Sequence, residues 1–145
     1  PAHVHPIPTD TGDAAAAATA YADTLHALFP GDTTFDLVLL GLGGDGHTAS
    51  LFPDDPDATR TDDALPWVRP VTAPPDYEVR TRLSLTLPVI NRARDVAFLV
   101  AGLAKHNAVD AVLEQQAPTL PPTHVRPRGS THWFLDEAAR FGNHD

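Results

Sequence analysis

Two short apolar runs, each closed by glycine, constrain this chain more than any other feature. FDLVLLGLG (residues 35–43) and DVAFLVAG (residues 95–102) are continuous in their apolar character and do not alternate. A run of this length and pattern reads as a strand buried on both faces, as in a parallel sheet with helices on either side. Strand, glycine and helix follow one another twice, so the expected architecture is an α/β layered fold with a mostly parallel sheet.

The remaining segments fit that frame. TGDAAAAATAYADTLHALFPG places polar Thr11 to Asp13 ahead of an alanine-rich run, carries Tyr21, Leu25, Leu28 and Phe29 at helical spacing, and stops at Pro30-Gly31. Residues 53–66 are polar and proline-broken and read as an exposed loop. WVRPV reads as a short strand and TAPPDYEV as a loop. RLSLTLP alternates, with Leu83, Leu85 and Leu87 on one side and Arg82, Ser84 and Thr86 on the other. LAKHNAVDAVLEQQ is expected to be a helix, THWFL a strand and DEAARF a terminal helix.

Composition narrows the function classes. With 145 residues, 42% of them hydrophobic, the chain supports one domain with a sizeable core, expected over residues 1–145. No apolar stretch reaches the ~20 residues of a membrane span. There is no cysteine, which removes disulfides and zinc-thiolate sites, and no basic-then-apolar export signal is visible, so a soluble cytoplasmic protein is expected. Net charge is −9, and nine aspartates precede Arg60, the first basic residue. Without a basic stripe to displace counterions, nucleic acid is not an expected partner. An anionic ligand would have to be met by a few placed cations or by backbone N–H groups.

The loop GLGGDG, residues 41–46, satisfies G-x-G-x-x-G to the letter. A dinucleotide-binding loop also needs an acidic residue about 20 positions on, at the end of a second strand. That distance falls near Asp62 and Asp63, with no apolar strand before them, which disfavours a nicotinamide or flavin cofactor. The other reading rests on Asp45-Gly46-His47, just past the carboxyl end of a buried parallel strand, where open α/β sheets place their ligands. An aspartate two residues away can hold an imidazole in one orientation. The imidazole, which ordinarily titrates near pH ~6.5, can then take a proton from water. Gly43, Gly44 and Gly46 let the backbone approach a substrate and offer N–H groups to a developing oxyanion. For a bare D-G-H the favoured reading is the plainer one, a helix-capping Asp45 followed by a surface His47, because aspartate commonly caps helices.

FDLVLLGLGGDGHTASLFP, residues 35–53, closely resembles the signature of 6-phosphogluconolactonases, members of the wider group of sugar-phosphate isomerases and lactonases. The resemblance continues through RLSLTLPVINRARDVAFLVAGLAK and HWFLDEAAR, and HVHPIP at the start is similar to the family's stretch before its alanine-rich helix. It implies a Rossmann-like fold and the hydrolysis of 6-phospho-D-glucono-1,5-lactone to 6-phosphogluconate in the pentose phosphate pathway, with neither metal nor other cofactor. It further implies His47 as the base that activates water, Asp45 as its polar neighbour, and Arg82 and Lys105 as ligands for the substrate's anionic end. Lys105 also stands on independent ground, because it falls in the first turn of an expected helix, where helix dipole and free N–H groups favour phosphate. Arg80, Arg92 and Arg94 read as surface charge.

The related aminosugar-phosphate deaminases carry a glutamate where this chain has Phe52. The resemblance thus favours lactone hydrolysis over deamination or isomerisation on the same scaffold. Members of the family also have N-terminal strands and a phosphate-binding loop that this chain does not contain, and its 145 residues resemble roughly the last three-fifths of such an enzyme. With Pro1 first and no methionine, upstream sequence is expected. A partner is then expected too, either that N-terminal segment or a second copy. The alternative to an enzyme is a truncated, non-catalytic fragment that binds sugar phosphates.

Overall fold

The computed structural model describes residues 3–9 and 12–142; Pro1 and Thr11, used above, lie outside the described residues. Helix α1 spans Ala14–Leu28, and its start is set by Asp13, whose side chain accepts from the N–H groups of Ala15 and Ala16. Such a cap satisfies donors that the first helical turn leaves without partners. Three strands, β1 (Leu37–Leu40), β4 (Asp95–Val100) and β5 (Thr131–Leu135), form a parallel sheet in the order β1-β4-β5, with Leu39 beside Ala97 and Phe98 beside Trp133. The helical turn after β4 continues into α3 (His106–Leu113), and α4 (Glu137–Phe141) follows β5.

One face of this sheet builds the main core. Val38, Leu40, Val96, Phe98 and Val100 point into it and meet Val109 and Val112 of α3 and Ala139 of α4. Phe98 is fully buried and stacks on Trp133 at 4.0 Å with the rings 5° from parallel. Burying side chains of this kind contributes about 1.5–3 kcal/mol each.

The opposite face of the sheet differs from the sequence expectation. β1 is not buried on both sides: Leu37 is 50% and Leu39 61% exposed, and beside them lie Leu99 at 53% and Phe134 at 60%. The continuous apolar run therefore marks a sheet whose second face carries no packed layer among the described residues.

Two further strands, β2 (Val68–Thr72) and β3 (Thr81–Leu85), form a separate antiparallel pair packed against α1 through Trp67, Val68, Ala18 and Leu25. The alternation read through Leu87 runs past the end of β3, because Leu87 starts the short helix α2 (Leu87–Asn91), whose first turn contains Pro88. Side-chain burial in β3 also departs from the alternation. Ser84 is buried, its hydroxyl accepting from the Ser50 N–H at 3.0 Å and donating to the Leu85 carbonyl at 2.8 Å. The 53–66 loop is less exposed than expected: Ala58 and Leu65 are buried, and Arg69 of β2 clamps Asp55 and Asp57. Among the described residues no helix is long and apolar enough to cross a membrane.

Candidate active site

The glycine loop leaves β1 at its carboxyl end and folds tightly on itself. Gly43 N–H donates to the His47 carbonyl at 2.8 Å, Gly46 N–H to the Gly43 carbonyl at 3.0 Å, and the Thr48 hydroxyl to the Gly41 carbonyl at 2.8 Å. Two glycines here have distinct physical reasons. A Cβ on Gly43 would stand 2.1 Å from His47 Nδ1 and 2.4 Å from Asp45 Oδ1, so the bare backbone is the seat on which the imidazole and carboxylate rest. Gly46 has φ of 87°, in the region glycine adopts at low cost, and its side-chain position is filled by Leu120.

This arrangement corrects one sequence expectation. Gly43 and Gly46 spend their N–H groups inside the loop, so neither is available to an oxyanion. Gly44 is exposed and makes no such internal bond, and a side chain on it would meet the Ala104 carbonyl at 3.2 Å.

Asp45 and His47 form the closest polar pair of the loop. Asp45 Oδ1 lies 2.6 Å from His47 Nδ1 and also accepts the His47 backbone N–H at 3.1 Å. A carboxylate only accepts, so Nδ1 carries a proton and Nε2 is the ring nitrogen that Asp45 leaves to the cleft. Burial raises the Asp45 pKa, but the His47 side-chain and backbone hydrogen bonds, the His47 charge and Tyr77 together outweigh it, leaving the carboxyl below its ordinary value. Asp45 is thus an orienting group for His47 and caps no helix.

The ring of His47 sits against aromatic neighbours. Phe52, buried beneath it, has its centroid 4.8 Å away, and Tyr77 meets it edge-on at 5.6 Å. The Tyr77 hydroxyl lies 3.1 Å from Asp45 Oδ2 and 3.1 Å from His47 Nδ1. Sequence reasoning missed Tyr77, which lies in a proline-flanked loop 30 residues from His47.

His47 and Lys105 line one cleft of about 480 Å³, together with Thr48 and Ser50. Lys105 closes a 3-10 turn, Leu103–Lys105, and caps α3. Arg82 does not line that cleft. It lines the adjacent one, of about 710 Å³, which shares Ser50 and Leu83 with the first. Its guanidinium lies 5.0 Å from the Tyr77 ring centroid and 5.9 Å from that of Phe52, and its Nε donates to the Val79 carbonyl at 2.9 Å. Arg92 and Arg94 are held in surface ion pairs with Asp63, Asp36 and Asp95. Asp62, the acidic residue a dinucleotide would need, is paired with Arg60 in the 53–66 loop. Among the described residues no cluster of three or more histidines and carboxylates is placed to hold a metal ion.

Comparison with known proteins adds a second kind of observation. Residues 1–133 match the family described as glucosamine-6-phosphate isomerases/6-phosphogluconolactonase. The chain is 40% identical over 144 residues to a 6-phosphogluconolactonase of Synechocystis sp., covering 95% of this chain and 57% of that protein. It is 43% identical over 126 residues to one from Rattus norvegicus, covering 85% and 48%. The solved 6-phosphogluconolactonase of Trypanosoma brucei superposes with a TM-score of 0.76 at 29% identity, over 95% of this chain and 57% of that one. The chain therefore spans about half the length of the curated relatives it matches.

Proposed function

The chain belongs to the glucosamine-6-phosphate isomerase/6-phosphogluconolactonase family, and from that membership we propose that it acts in hydrolysis of 6-phospho-D-glucono-1,5-lactone to 6-phosphogluconate, the lactone-opening step of the pentose phosphate pathway, with His47 as general base. The observation that carries this reading is the Asp45–His47 pair. One ring nitrogen is fixed by a carboxylate at 2.6 Å, while Nε2 has no protein partner among the described residues. His47 and Lys105 lining the same cleft supports it further.

In this reading a water donates to Nε2, loses its proton to the imidazole and attacks the lactone carbonyl carbon. Negative charge gathers on the carbonyl oxygen, for which the exposed Gly44 N–H, which makes no bond within the loop, is a donor. The imidazolium then returns the proton to the ring oxygen as the carbon–oxygen bond breaks, giving a free hydroxyl and a carboxylic acid, which releases its remaining proton to solvent to become the carboxylate. Asp45 stabilises the charged imidazolium and keeps it turned to the cleft. Lys105 binds the phosphate at the N-terminal end of α3, and Arg82 approaches it from the neighbouring cleft.

Deamination or isomerisation of an aminosugar phosphate is disfavoured by Phe52, a buried hydrocarbon ring against His47 where the deaminases place a proton-relaying carboxylate. The test compares proton release from 6-phospho-D-glucono-1,5-lactone, by pH-stat, with ammonia release from glucosamine 6-phosphate. Accelerated lactone opening with no ammonia is expected. Ammonia release overturns the assignment, and binding of 6-phosphogluconate without turnover of either compound identifies a non-catalytic fragment.

A further inference from the structure

We propose that Tyr77 is a positioning residue for the Asp45–His47 pair: its hydroxyl holds the carboxylate by the oxygen that His47 does not use, and thereby fixes which imidazole nitrogen faces the cleft.

Asp45 Oδ1 faces His47 Nδ1 at 2.6 Å and accepts the His47 N–H at 3.1 Å, while Oδ2 lies 3.1 Å from the Tyr77 hydroxyl. The hydroxyl is also 3.1 Å from Nδ1, but that nitrogen already gives its proton to Oδ1, so the acceptor left to the phenol is Oδ2. The carboxylate is exposed on its outer side, with 39% of its side-chain surface in solvent, and without Tyr77 it is anchored only through Oδ1. A carboxylate held at one oxygen turns about its terminal torsion, which is broad and poorly defined. Held at both oxygens, it presents a fixed acceptor to Nδ1. The phenol ring adds a steric term: it stands 83° to the imidazole at 5.6 Å and 63° to Phe52 at 5.2 Å, so His47 is flanked by two aromatic rings.

Tyr77 is itself well placed for this task. It sits in the loop joining β2 to β3, a different unit of the fold from the glycine loop, and that loop is braced by the Ala73 N–H to Arg80 carbonyl bond at 2.8 Å and the Tyr77 N–H to Pro74 carbonyl bond at 3.1 Å. The hairpin loop therefore grips the glycine loop from outside. Burial raises the phenol pKa, and the Asp45 carboxylate raises it further, so the hydroxyl keeps its proton and remains a donor. The Arg82 guanidinium over the Tyr77 face ties the candidate phosphate ligand to the same ring.

Orientation is read directly by nitrogen NMR of the chain labelled with 15N-histidine, with the His47 signals identified by their loss in His47→Gln. The unaltered protein should show His47 with a proton on Nδ1 and a lone pair on Nε2. Tyr77→Phe keeps the ring and the Arg82 contact and removes one oxygen, and in it the His47 signals should move toward a mixture of the two tautomers. An unchanged His47 spectrum in Tyr77→Phe overturns the proposal, whatever the turnover. The kinetic consequence rests on the hydrolytic reading above: kcat for the lactone should fall about 10- to 100-fold, the loss of one hydrogen bond to a charged group, with KM within twofold. A tautomer change in a protein that does not open the lactone leaves the positioning role standing and removes only the hydrolytic reading.

Discussion

Gly43→Ala separates damage to the site from damage to the fold. Gly43 is not in a left-handed conformation, so alanine fits the backbone, yet its Cβ would lie 2.1 Å from His47 Nδ1 and 2.4 Å from both His47 Cε1 and Asp45 Oδ1. Ordinary contact begins at 3.4 Å, so the imidazole has to retreat by about 1.3 Å. That displacement breaks the 2.6 Å bond to Asp45 and moves Nε2 by a similar amount. Overpacking of this kind costs about 1–3 kcal/mol, and the ring, with 18% of its side-chain surface in solvent, borders the cleft into which it can shift, so the stability loss belongs at the lower end. A misplacement of ~1 Å in a reacting group costs about 10²-fold in rate. The expected result is a protein that unfolds within a few degrees of the unaltered chain while its lactone turnover by pH-stat drops roughly a hundredfold. Turnover within threefold, with His47 NMR signals unmoved, refutes the reasoning that Gly43 is the seat of the imidazole.

Further outcomes follow from the same geometry. Lys105→Ala and Arg82→Ala should each raise KM for the lactone about tenfold with a smaller effect on kcat, measured by initial rates, as expected when a charged contact to a distant phosphate is lost. Asp45→Asn should lose stability in a pH-dependent way. The Asp45 carboxyl is held below its ordinary value of 3.8, so its contribution is complete above that pH and is lost as pH falls through the lowered value. The difference in denaturant midpoint between Asp45→Asn and the unaltered chain should therefore be largest near neutrality and shrink below pH 3.8. Phe134→Asp, on the uncovered sheet face with Leu37, Leu39 and Leu99, should lower binding of an apolar fluorescent dye and reduce self-association by light scattering, without lowering lactone turnover.

What the sequence disclosed, and what it hid, divides along physical lines. Strands β1 and β4 and helix α1 were legible because their signals are local: an apolar run ended by glycine, and Asp13 ahead of alanines. The contact between Asp45 and His47 was legible because the chain places them two residues apart. The position of Lys105, in a turn that follows a parallel strand, was legible because the apolar run and Gly102 before it are local signals. Tyr77 was not, since its hydroxyl reaches the pair only through the pairing of β2 with β3, and nothing in PPDYEV announces that contact. The exposed face of β1 was hidden for a related reason. An apolar strand records that both faces favour burial, but not what covers them. Helix α2 was masked by Leu87, which extends the β3 alternation by one step although the backbone turns at Thr86.

The claim on which the account depends is that the imidazole of His47 takes the proton from the attacking water. The most direct measurement is the pH-stat rate of 6-phospho-D-glucono-1,5-lactone opening by His47→Ala, beside a check that its circular dichroism and thermal unfolding are retained. A loss of about 10²- to 10⁴-fold in kcat is expected, the usual worth of a positioned general base. A folded His47→Ala that opens the lactone at the unaltered rate would contradict it.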